Sequence, residues 1–118
     1  MKKNFILLTV LCLMMACSSD DNTPCEKVAD NPLEEYAWLK EIQNNLSNCA
    51  CERSIIQGTY QGQTVFYVTI TDQLCSSMVI PTLYNCKGEV VRQYNDKDFM
   101  NVHDEVKNIK VLYRCNEY

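Results

Sequence analysis

Cysteine is the residue best able to do chemistry in this chain, and its eight copies divide into three roles. Cys17 closes the run Leu13-Met14-Met15-Ala16-Cys17, directly after a lysine-led apolar stretch. That is a lipobox: a peptidase cuts after the small residue, and the cysteine then carries lipid. Cys12 sits inside the apolar stretch and leaves with it. The remaining six are Cys25, Cys49, Cys51, Cys75, Cys86 and Cys115. An even count in a small exported domain reads as a disulfide framework, with the pairing left open.

Cys49-Ala50-Cys51 admits two chemistries. Bridged to each other, the two sulfurs would form a strained, reducible pair suited to thiol redox work. Such a thiol wants a lowered pKa, from a helix N-terminus or a cation. This pair instead follows an expected helix C-terminus, the wrong end of the dipole, with Arg53 the nearby cation. Two separate structural bridges fit better. Zinc has little to bind, with one histidine and no paired C-x-x-C spacing.

His103 would have to serve any Ser-His-Asp or Cys-His device, yet no nucleophile motif accompanies it. Asp104 is its sequence neighbour, and consecutive helix residues do not face one another. Glu34-Glu35 and Asp20-Asp21 read as a helix start and a tether. Asp96-Lys97-Asp98 lacks the glycine and terminal glutamate of a calcium loop. Three glycines provide no phosphate-binding loop. The residues therefore point to no catalytic set, no metal and no cofactor. Binding chemistry is better supplied. Strand alternation sends Phe66 and Tyr67 to opposite sheet faces, so Tyr67, with Val65 and Thr69, is the candidate for an open binding face.

Several elements must hold these groups. Lys2 and Lys3 precede the apolar run from Phe5 to Met15, which is a signal-peptide core too short to span a bilayer. Cleavage before Cys17 removes residues 1–16 and leaves 102. Nine basic side chains then face 15 acidic ones, a formal charge of −6. An acidic body argues against nucleic acid or polybasic membrane contact. Membrane contact falls to acyl chains, whose burial gives about 0.8 kcal/mol per CH₂. Residues 17–24 form the lipidated cysteine and a polar tether, whose seven residues after Cys17 reach about 25 Å when extended.

Residues 25–118 form a single small domain. Asp30-Asn31-Pro32 starts a helix, and Leu33, Tyr36, Ala37, Leu39, Ile42 and Leu46 give it one apolar face over residues 32–46. The period then changes to two. Strands are expected over residues 54–60, 64–70, 79–86, 89–94 and 109–115, the first four as two hairpins. Ile109, Val111, Tyr113 and Cys115 would share one face of the last strand. A short helix is expected over residues 98–107. The fold class is α+β: an N-terminal amphipathic helix packed on a four- to five-stranded antiparallel sheet, stapled by disulfides.

Trp38-Leu39-Lys40, the run from Tyr60 to Val68 and the run from Leu83 to Val90 together resemble small, uncharacterised Bacteroidota lipoproteins with a domain of unknown function. Those carry a similar "WLK" helix, a "Y-x-G-x-T-V-F-Y-V" hairpin and an "L-Y-x-C-x-G" turn. Ser18-Ser19-Asp20-Asp21 is similar to their surface-export signal, which implies outward display on the outer membrane. A second resemblance is to cystatin-like domains, a helix wrapped by an antiparallel sheet. Gln63-Thr64-Val65-Phe66-Tyr67 matches the first half of their Q-x-V-x-G hairpin and has Tyr67 where the glycine belongs. The expected function is a non-catalytic, lipid-anchored envelope domain that binds a protein or glycan. The alternatives are an inhibitor-like module acting through the hairpin from Tyr60 to Val65, and a thiol-redox protein using Cys49 and Cys51.

Overall fold

The computed structural model describes residues 28–47 and 49–116. Cys17, the tether and Cys25 lie outside the described residues. The described chain is α+β, with five antiparallel strands in the order β4-β3-β2-β1-β5. Strands β1 (Arg53–Tyr60) and β2 (Gln63–Ile70) pair along all eight residues. Gln61 and Gly62, both left-handed at φ 50° and 81°, close this hairpin. Two such residues make the turn whose twist matches that of the strands.

Strands β3 (Thr82–Tyr84) and β4 (Val90–Gln93) are shorter than expected. Residues 71–81 run as a loop instead, consistent with Pro81 being unable to donate to a ladder. The expected tight turn at Lys87-Gly88 is built around Asn85. Its buried Oδ1 accepts from the backbone N–H groups of Lys87 and Glu89 at 2.9 and 3.0 Å.

The expected continuous helix is two helices, α1 (Pro32–Glu35) and α2 (Ala37–Asn45), separated by an extended Tyr36. The break lets the Tyr36 ring meet Phe66 edge-on at 5.9 Å while its hydroxyl accepts from Ala29 N–H. Trp38 meets Phe66 in the same way at 5.8 Å. Its indole N–H donates to the Cys86 carbonyl at 3.0 Å. Gly88, at φ 81°, lies under the indole, where a Cβ would fall 2.9 Å from ring carbons.

After β4 a 3₁₀ turn (Phe99–Asn101) leads into α3 (Val102–Glu105), and β5 (Val106–Cys115) begins earlier than expected. Register shifts interrupt the pairing of β5 with β1. Ile55 faces Tyr113 while Ile56 faces Val111, so Leu112 is the extra residue. An extra residue reverses side-chain alternation. Val111 therefore packs with Ile56 and Tyr67, whereas Leu112 and Tyr113 pack on the other face. The expectation that Val111 and Tyr113 share a face is overturned. The second shift lies at Gly58, where a Cβ would collide with Val106 Cγ1, and Asn108 takes φ 54°.

Both sheet faces are packed. Leu39, Ile55 and Phe66 form one cluster, joined by Tyr36, Trp38 and Ile42 from the helices. Ile56, Val65, Tyr67, Leu83, Tyr94, Val102 and Val106 form the other.

Gly88→Ala combines left-handed backbone with a clash against Trp38. It is expected to destabilise the domain by about 1–3 kcal/mol. Trp38→Phe removes the indole hydrogen bond, with an expected loss of about 1 kcal/mol. Urea unfolding of the oxidised protein checks both.

Candidate functional site

The two sulfurs of Cys49-Ala50-Cys51 go to different places. Cys49 is bridged to Cys115 and Cys51 to Cys75, with Cα separations of 5.7 and 5.8 Å. Cys86 is disulfide-bonded as well. The first bridge ties the approach to β1 to the end of β5. The second holds the 71–81 loop beside the start of β1. Closing loops of 66 and 24 residues is worth about 4 and 3 kcal/mol in the chain-entropy account.

Two polar clusters brace the sheet. At one end Glu52 gathers Thr71, Arg114 and Asn116, and Thr71 also meets the buried Ser54 hydroxyl at 2.8 Å. The Thr71 hydroxyl, with Asn116 and Arg114, holds the Glu52 carboxyl below its ordinary pKa. At the other end Arg92 lies 4.2 Å over the Tyr94 ring and donates to Glu105 and Asp98. The Tyr94 hydroxyl donates to Glu105 Oε1 at 2.8 Å. That bond, with Arg92 beside it, lowers the Glu105 pKa, while burial and the Glu105 contact push Tyr94 up. These groups are mutually satisfied and pin α3 to β4.

Among the cavities of the described residues, one is a groove on the sheet face that carries Tyr67. Its larger lobe, about 460 Å³, runs between the 71–81 loop and the α3 region, with Met78, Val79, Phe99 and Met100 in its walls. The smaller lobe, about 320 Å³, is floored by Ile56, Tyr67 and Val111 and edged by Ile109 and Arg114. Thr69, Asp72 and His103 line both lobes. Met78, Met100 and Ile109 are 57%, 60% and 60% exposed around it. Leu74, in the same loop, is 97% exposed, held outward where its N–H donates to Asp72 Oδ1.

The sequence-based binding face is thus partly relocated. Val65 is fully buried and Tyr67 is 5% exposed, so an open sheet face centred on them is ruled out. Tyr94, Val102 and Phe99 cover that face. Tyr67 and Thr69 reach the surface as groove lining instead. His103, which the sequence pairs with no nucleophile motif, joins them. No hydrogen bond links it to Ser76, Ser77 or Asp72 among the described residues, so no triad is assembled. Met78 and Met100 were not anticipated. The available signal for Met78 was its place directly after the polar pair Ser76-Ser77, at the head of the apolar run Met78-Val79-Ile80. Among the described residues no group of three or more His, Cys, Asp or Glu side chains could hold a metal. None of the described helices is long and apolar enough to cross a membrane.

Comparison with known proteins is silent: no family model, curated protein or solved structure matches this chain.

The Glu105 carboxyl is more acidic folded than unfolded, where its ordinary value is 4.5. The unfolded chain then binds the proton more tightly, so stability rises with pH across that window. The contribution is complete above about pH 4.5 and is lost as the pH falls through the lower, folded value. Glu105→Gln should lower the urea midpoint at pH 7, and its gap from wild type should narrow below pH 4.5.

Proposed function

We propose that this protein is a non-catalytic binding domain, lipid-anchored through Cys17 and displayed outward on the outer membrane. The groove beside Tyr67 is its binding site. Its helical segment packs across one sheet face, disulfides staple the sheet and the 71–81 loop, and the opposite face is left to present the groove. The observation that carries the reading is a two-lobed groove: exposed Met78 and Met100 wall its larger lobe, and exposed Ile109 edges the smaller one, which nearly buried Tyr67 lines. Soluble domains seldom present apolar side chains in such a group without a partner. Methionine suits it, because a flexible thioether adapts to varied apolar surfaces.

The anchor rests on the lipobox, and outward display rests on the Ser18-to-Asp21 resemblance to Bacteroidota lipoproteins. Membership of that lipoprotein group is part of the same proposal. The inhibitor-like alternative has less support. Its hairpin tip exposes only Gln61 and Gly62, and Val65 is sealed in the core. The redox alternative loses its premise, since Cys49 and Cys51 are bridged to Cys115 and Cys75 rather than to each other.

Two experiments test this. In cells, Cys17→Ala should abolish palmitate labelling and release the protein from the membrane fraction. Protease added to intact cells should digest the wild-type domain. A protected domain would refute outward display. For the groove, full-length bait carrying Cys17→Ser is compared with the same chain also bearing Met78→Asp and Met100→Asp. Both methionines are exposed, so folding should persist. A partner retained by the first bait and lost from the second is the expected outcome. Equal retention by both, or by neither, sinks the groove as the binding site.

A further inference from the structure

Tyr67 combines two properties rarely found together. Its side chain is 95% buried, since only 5% of its surface is exposed. No described residue hydrogen-bonds its hydroxyl, and burial is the sole influence on its acidity, pushing it up. The hydroxyl is not sealed either. The sealed, unpartnered side-chain atoms among the described residues are Gln43 Oε1 and Arg53 Nε. Tyr67 instead lines the smaller lobe. Buried phenols normally find a hydrogen-bond partner in the protein. The contrast with Tyr94, whose hydroxyl is bound to Glu105 at 2.8 Å, is direct.

The surroundings narrow what would meet this hydroxyl. Ile56, Ile109 and Val111 are apolar. Arg114 already donates to Glu52 at 3.1 Å, and Asp72 places a negative charge on the rim. The Glu52 carboxylate already offsets the Arg114 charge, and a ligand carboxylate would also face Asp72. A neutral acceptor on an apolar body suits the lobe, and about 320 Å³ lies at the small end of ligand cavities.

We propose that the lobe beneath His103 binds a neutral amide carried on a compact apolar group, with the Tyr67 hydroxyl donating to the amide oxygen. This rests on the groove being the binding site and names the chemistry it recognises. A small acylated molecule and a leucine-like segment of a polypeptide share that chemistry.

Two-dimensional amide NMR of the full chain carrying Cys17→Ser tests it, with isocaproamide, isocaproate and acetyl-alanyl-leucyl-alaninamide as probes. Isocaproamide should shift the amides of Thr69, His103 and Val111 and bind more tightly than isocaproate. Tyr67→Phe should weaken it about five-fold, the worth of one hydrogen bond. Thermal stability of Tyr67→Phe should stay unchanged, because the hydroxyl has no protein partner to lose. Tighter binding of the tripeptide than of isocaproamide assigns the amide to a polypeptide, and equal binding assigns it to a small molecule. Preference for isocaproate, indifference to Tyr67→Phe, or a clear loss of stability in Tyr67→Phe each overturns the proposal. So does the absence of shifts with every probe. If the methionine substitutions still abolish partner retention in that case, the groove remains a binding site with different chemistry.

Discussion

The central hairpin is apolar on both faces, and everything else follows from that. Ile55 and Ile56 are adjacent in β1 and both buried, as are Val65, Phe66 and Tyr67 in β2. Alternation points such neighbours in opposite directions, so one cover is insufficient. A small domain has few residues from which to make two covers. The first comes from α1 and α2, fixed by the Trp38 indole seated on Gly88 and bonded to the Cys86 carbonyl. This ties helix to turn across 48 residues of sequence. The second is assembled from pieces: Tyr94 just after β4, the 3₁₀ turn and α3.

The groove is a consequence of that second cover being short. The 3₁₀ turn and α3 together contain seven residues, set against strands of eight. Val102 and Phe99 shield the middle of the face, and Thr69 near the end of β2 is left lining open space. The loop of residues 71–81 bounds that space without filling it. Its ends are held by the Thr71 hydrogen bonds to Glu52 and Ser54 and by buried Pro81, its middle by Cys51–Cys75, and its Leu74 and Met78 face solvent. Disulfides thus do here what a larger core does in a larger protein. They let a loop keep its apolar side chains outward and still hold position.

The long strand β5 lies at the edge of the sheet and carries features that disfavour pairing with another chain. Two register shifts, a left-handed Asn108 and the exposed Lys107, Lys110 and Arg114 twist and charge it. These are the devices by which natural sheets blunt their edges. The same irregularity sends Val111 to the groove face and Tyr113 to the helix face, so edge protection and groove floor share one cause.

Local and periodic features were legible in the residues alone. The Tyr60-to-Val68 stretch announces a hairpin, because its turn needs residues that tolerate positive φ and its strands are β-branched and aromatic. The α+β order and the use of cysteines as bridges also follow from spacing and count. What spacing cannot carry is any event that depends on a distant partner. The break at Tyr36 answers to Phe66, and the shift at Leu112 answers to β1. The pairing of Cys49 with Cys115 and of Cys51 with Cys75 depends on which strand ends meet. Tyr67 shows the division most plainly. Its alternation with Phe66 assigned it to the opposite face by local geometry alone. Whether that face lay open, sealed or grooved was decided by how far a seven-residue cover, folded from the other end of the chain, could reach across it.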